Sequence, residues 1–173
     1  MAINREHLMN FDIPEMRQTY GLRDTAQYAL SVGMGQNPMD MAQLAYVGAL
    51  HDDSRVMPAI ANVLGHPGFW LGHPATGVDA LKLVHGEQGM TLHAPIPAEA
   101  TVRAKTRVTG LIDKGEGRGA LLYSEKEVFN DATGTLIATC RGTTFLRGDG
   151  GYGGASDAPK PVHQLPESAP DRV

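Results

Sequence analysis

Three short stretches of this chain carry side chains of the kinds that handle protons or hold anions. The first, Gly33-Met-Gly-Gln-Asn-Pro-Met-Asp40, is a polar turn placed just after a helical segment, as many active-site loops are. General acid and base chemistry needs groups that exchange protons, and this turn offers only Asp40. It has the outline of a catalytic loop with the proton carriers missing. The second stretch is His85-Gly86-Glu87, directly after the apolar run Leu81-Lys-Leu-Val84. His85 is either a core histidine satisfied by a backbone hydrogen bond or a ligand contact, with Gly86 letting a ligand come close to the main chain. The third is Asp113-Lys-Gly-Glu-Gly117. Lys114 there is either a solvated turn lysine or the cation that a phosphate group needs.

Other chemistries find no matching pattern. His66, His73, His85 and His93 do not have a zinc-ligand spacing such as His-x-x-x-His on one helix, so no metal is expected. Gly148-Asp-Gly-Gly-Tyr-Gly-Gly154 lacks the Lys-Ser/Thr and the following helix of a phosphate-binding loop, and reads as a hinge. The one cysteine, Cys140, excludes an internal disulfide and is expected to be a small buried hydrophobe. A net charge of -4 without a basic stripe argues against a nucleic-acid partner. No run approaches the roughly 18 apolar residues that span a bilayer, and the opening Met-Ala-Ile-Asn-Arg has no apolar signal core behind it. The expectation is a cytoplasmic protein with no membrane segment.

These residues need elements to hold them. At 173 residues the chain suits one domain able to bury roughly two thirds of its unfolded surface. Residues 23 to 48 read as helical, with Asp24 as an N-cap, an apolar face from Ala26, Tyr28, Ala29, Leu30 and Val32, and a second piece following Pro38. The periodicity then changes toward two. In Thr101 to Thr109, Val102, Ala104, Thr106 and Val108 alternate with Arg103, Lys105 and Arg107, the pattern of a half-buried antiparallel strand. That charged face could meet phosphates, although solvation is the simpler reading. Similar runs at about 80 to 94, 117 to 130 and 135 to 147 are separated by turn signals and predict a meander. Residues 1–148 are expected to be the domain. Residues 149–173, rich in glycine and proline, are expected to be a linker or tail. Early helix followed by long strands implies an α+β fold.

The order Arg23-Asp24, Tyr28-Ala-Leu-Ser-Val-Gly33, Met57-Pro58, Val84-His-Gly-Glu-Gln88, Pro95-Ile-Pro97, Asp113-Lys-Gly115 and Phe145 to Gly154 resembles the N-terminal half of the MaoC-like, (R)-specific 2-enoyl-CoA hydratases (hydratase 2), which also occur inside peroxisomal multifunctional enzymes. The resemblance implies a hot-dog fold, an antiparallel sheet wrapped around a central helix, and a chain built of two such repeats of which the second is catalytic. Laying the family's motif Gly-Asp-x-Asn-Pro-Leu-His on Asn37-Pro38 puts its aspartate on Gly35 and its histidine on Asp40, so no catalytic residue is expected in this chain. By the same resemblance His85, Gly86 and Lys114 contact an acyl-CoA thioester, coenzyme A enters only as part of the substrate, and no separate cofactor is needed. The implied partner is a catalytic hot-dog repeat, in the same chain or as a separate subunit in a dimeric association. The stretch Val162 to Val173 resembles the connector leading to that repeat. Gly33, Gly35, Ala59 and Ala61 are compatible with room for a bulky acyl group. Two other readings stay open: a stand-alone acyl-thioester-binding protein, and a thioesterase using Glu87 or Asp40 to activate water.

Overall fold

The computed structural model of the chain describes residues 3–48, 54–153, 155–159 and 166–169. Its elements are α1 (Arg5–Met9), β1 (Met16–Tyr20), α2 (Leu22–Ser31), α3 (Met41–Val47), β2 (Leu83–Leu92), β3 (Ala100–Asp113), β4 (Ala120–Asn130) and β5 (Leu136–Leu146), with short 3-10 turns between α3 and β2. The described strands form one antiparallel sheet in the order β1-β3-β4-β5-β2. The expected meander is therefore only β3-β4-β5. Strand β2 precedes β3 in sequence, yet it pairs with β5 at the opposite edge, because the turns before it carry the chain across the sheet's inner face.

Alternation along β3 is as the side-chain pattern predicts. Val102, Ala104 and Val108 are buried, while Arg103 and Arg107 lie on the outer face. Those cations are paired: Arg103 meets Glu15 at 3.2 Å and lies 4.8 Å above the Phe129 ring, and Arg107 shares Glu125 with Arg141. Ion pairs thus occupy both arginines of this face, and Lys105 between them is exposed.

The inner face is filled differently from the simple expectation. Helix α2 buries only Thr25, Ala26 and Ala29 and leaves Leu30 and Val32 exposed. Ile60, Ala61 and Leu64, from the 3-10 turn Pro58–Asn62 and its end, lie in the core with Val102, Ala104, Val128, Ala138 and Cys140. A separate cluster gathers Leu8, Leu71, Val108, Leu111, Leu122 and Leu146 at the other end of the sheet. A long helix would need a continuous apolar stripe, and the described residues place none at the middle of the sheet; the proline-opened turn at Pro58 does the covering there. Ala61 is fully buried packing and Gly33 forms a turn with φ +90, so these small residues serve the fold rather than an open pocket.

The N-cap of α2 is Gly21, not Asp24. Asp24 stands one turn in, and its carboxylate accepts from the Gly21 N–H at 2.9 Å, the reciprocal half of a capping box. The helix starts earlier because this interaction satisfies the main chain at Gly21.

The glycine-rich stretch after β5 is docked against the domain. Asp113 accepts from the N–H groups of Gly151 (2.7 Å) and Gly153 (3.2 Å), and Asp157 accepts from Leu111 N–H (2.7 Å) and from Arg5 (2.7 Å). Such a segment cannot bury enough apolar surface to order alone; carboxylates of the domain and of the segment itself supply the missing energy. Gly154 and most of Val162 to Val173 lie outside the described residues.

Candidate functional site

The α2–α3 loop uses its polar groups on its own conformation. Gly35 has φ +76, its N–H donates to the Gln43 side chain at 3.0 Å, and a Cβ placed there would come within 2.9 Å of Val47. An aspartate at this position would be strained and sterically opposed. The Asn37 side chain accepts from Met39 N–H at 3.0 Å, closing a local turn. Asp40 is the N-cap of α3, accepting from Ala42 N–H (3.1 Å) and Gln43 N–H (3.2 Å). Its oxygen thus holds a helix end, which is a structural duty for a carboxylate at this position.

Residues His85 and Gly86 lie on edge strand β2, paired with Thr144 and followed by a register shift before Glu87. Gly86 is the extra residue of that bulge. A Cβ on it would stand 3.1 Å from the Thr143 carbonyl oxygen, so close approach of the neighbouring strand is sufficient reason for glycine. His85 is exposed, not a buried core histidine. It lines a cavity of about 270 Å³ on the inner face with Phe69, Trp70, Leu83, Gln88 and Thr144. Glu87 points the other way, accepting from the Thr143 hydroxyl at 2.8 Å, and lines neither this cavity nor the smaller one beside it. Neither carboxylate considered for water activation therefore faces a pocket with His85.

Lys114 is exposed in the β3–β4 turn, its ammonium 5.2 Å above the Phe145 ring. Phe145 pairs with Val84 and Thr144 with His85, so Lys114 and His85 occupy opposite faces at the same end of the sheet. A ligand touching both must wrap over that end. The α2–α3 loop contributes no residue to the His85 cavity, and two wider clefts along α2 and β1 contain none of the predicted site residues.

A further group emerged only from the fold. Lys126 of β4 is 7% exposed, on the inner face between the two apolar clusters. Its ammonium donates to the carbonyls of Asn62 (2.8 Å) and Leu64 (2.6 Å). Burial pushes it below the ordinary lysine value, and burial together with Lys126 pushes the nearby His66 below the ordinary histidine value. Burial pushes the Cys140 thiol up; Cys140 pairs with Lys126 across β4 and β5 and donates to Ala61 O at 3.4 Å. The signal for Lys126 was present in period two: Leu122, Ser124, Lys126 and Val128 share one face. His66 lies in irregular chain and Trp70 opens a three-residue 3-10 turn, where no periodicity points inward.

The profile of the family described as MFE-2 hydratase 2 N-terminal domain matches residues 18–148. The chain belongs to that family. It is 35% identical over 158 residues to "Enoyl-CoA hydratase 2, peroxisomal" of Arabidopsis thaliana, covering 88% of this chain and 50% of the relative. Among solved structures, the MaoC-like dehydratase of Phytophthora capsici superposes with TM-score 0.76 at 23% identity, covering 98% of this chain and 58% of that one, which shows the hot-dog fold. A structure of the ChsH1-ChsH2 complex of Mycobacterium tuberculosis superposes with TM-score 0.52 at 15% identity, covering 86% and 88%. Hot-dog domains of this fold are thus found paired in complexes. The chain spans about half the length of the curated relatives it matches.

Among the described residues, no group of three or more His, Cys, Asp or Glu is gathered for a metal, and no helix is long and apolar enough to cross a membrane.

Proposed function

We propose that this chain is the acyl-CoA-gripping, non-catalytic hot-dog repeat of an (R)-specific 2-enoyl-CoA hydratase, acting in the cytoplasm. A partner repeat supplies the aspartate and histidine that take a proton from water and return one at the α-carbon. The observation that carries the reading is the α2–α3 loop: it keeps Asn37-Pro38, but Gly35 stands where an aspartate would be strained and Asp40 is bound to a helix end. The partner is supported by edge strand β2, most of whose residues are exposed and which pairs on one side only. Val84 and Leu92 on it are 42% and 40% exposed, and Leu81 just before it is 96% exposed. An open strand edge beside exposed apolar side chains is a surface that a second sheet can cover.

In this arrangement coenzyme A lies over the end of the sheet, with Lys114 on its phosphates and His85 and Gly86 beside the thioester, and the acyl chain enters the inner-face cavity. The stand-alone binding reading differs only in lacking the partner. The thioesterase reading is weakened by Glu87, which faces away from the cavity.

Assayed alone with a trans-2-enoyl-CoA, the chain should show no hydration above background. Adding a hot-dog repeat that carries the Gly-Asp-x-Asn-Pro-Leu-His motif should restore it, each well-placed acid or base contributing on the order of 10² to 10⁴. Full turnover by this chain alone sinks the proposal, and release of free thiol without hydration favours a thioesterase.

A further inference from the structure

The described core is interrupted at Lys126, which lies between two apolar clusters. Across the middle of the inner face, Thr106, Lys126, Cys140 and Met90 follow one another on β3, β4, β5 and β2, with Ser124, Gly142 and Gln88 in the next row. Above these rows is a cavity of about 110 Å³ lined by Asn62, His66, Trp70, Gln88, Ser124 and Lys126 among others. It shares His66, Trp70, Gln88, Ser124 and Gly142 with the larger cavity beside His85, so the two are adjacent.

A buried ammonium loses its hydration, a loss offset only where an anion or enough acceptors replace the water. Lys126 has three donors, and two reach backbone carbonyls. Among the described residues no carboxylate pairs with it, and no Asp or Glu lines the cavity. The other lining residues carry no charged side chain besides the titratable His66, and Asn62, Gln88, Thr106 and Ser124 among them can hydrogen-bond. The site is therefore positive, is built on an ammonium that is itself almost fully buried, and is short of one acceptor.

We propose that this cavity is a subsite for an anion at the far end of the acyl chain, a carboxylate that accepts from Lys126 while the thioester sits at the His85 end. The distance suits a chain. From the Thr144 row to the Cys140 row is four residues of strand, about 13 Å at the usual strand rise. The volume suits a terminal carboxylate, being several times what one bound water needs. A methyl-ended chain would leave the ammonium buried without its anion. The substrate class is thus a thioester of a dicarboxylic acid, and this inference rests on the acyl-CoA reading above.

Trp70 is the only tryptophan of the chain and lines both cavities, so its emission reports occupancy. Decanoyl-CoA and sebacoyl-CoA, its ω-carboxylate counterpart, should be titrated against the chain and against Lys126→Met, with circular dichroism as a check on folding. Binding about tenfold tighter for sebacoyl-CoA, with the preference lost in Lys126→Met, is the expected result. Equal affinities for the two thioesters in the unaltered chain overturn the anion subsite while leaving the acyl-CoA reading intact. Binding of neither overturns that reading and this one with it. The comparison within the unaltered chain decides the matter even if Lys126→Met does not fold.

Discussion

The α2–α3 loop and the inner face around Lys126 both gather polar groups, and they use them in opposite ways. In the loop, Asn37, Asp40 and Gln43 all point back at main-chain N–H groups of their own neighbourhood, so the segment is self-satisfied. At the sheet's centre, Lys126 is fixed by two carbonyls yet still borders a cavity with a donor to give. A polar residue is available for binding when the fold holds it in place without using all of its hydrogen bonds. Residue type alone would have favoured the loop.

The largest effect that tests this contrast comes from returning the motif's aspartate to the loop. Gly35→Asp should cost about 1–3 kcal/mol of stability, because a side chain is forced into positive φ against Val47, and it should bring no hydration. Denaturant unfolding and an enoyl-CoA assay measure both; a stable and active variant would erase the distinction between the regions.

A crossed pair of variants gives an intermediate effect. Asp40→Ala should lower stability by about 1 kcal/mol through loss of the α3 cap and leave coenzyme A affinity unchanged. Lys114→Ala should do the reverse, weakening coenzyme A binding a few-fold while the unfolding midpoint stays in place, since this lysine is exposed. Unchanged affinity in Lys114→Ala removes it from the site.

The smallest effect concerns pH. His66 has its folded value lowered below 6.5, first by burial and then by Lys126, so its neutral form is favoured in the native state. The stability this contributes is complete above 6.5 and is lost as pH falls through 6.5 toward the lowered value. His66→Gln should flatten the acid side of the stability profile just below that point. An identical slope in both proteins would mean that neither burial nor the Lys126 charge shifts the imidazole.

Much of the fold was legible from the chain. Strand β3 shows in its alternation from Thr101 to Thr109, β4 and β5 as similar runs, and their turns in Asp113-Lys-Gly and Asn130-Asp-Ala-Thr-Gly, because side-chain period and turn chemistry are local. Strand β1 and helix α1 were not read, being five residues each and too short for a period to declare itself. Of the site, the empty loop was legible as missing residue types. The opposite facing of His85 and Lys114 was not, since it depends on pairing β2 with β5 across the sheet.

The sequence by itself determined that this is an α+β chain with long antiparallel strands, a turn without proton carriers and no excess of basic residues, all of which follow from composition and short-range spacing. Only the tertiary structure decided that β2 closes the far edge, that proline-opened turns rather than one helix cover the inner face, and that a lysine with no carboxylate partner among the described residues is enclosed there. Those outcomes rest on contacts between residues tens of positions apart, such as Lys126 with Asn62 and Leu64. Burial is a property of the assembled layers, and no local window of a sequence contains it.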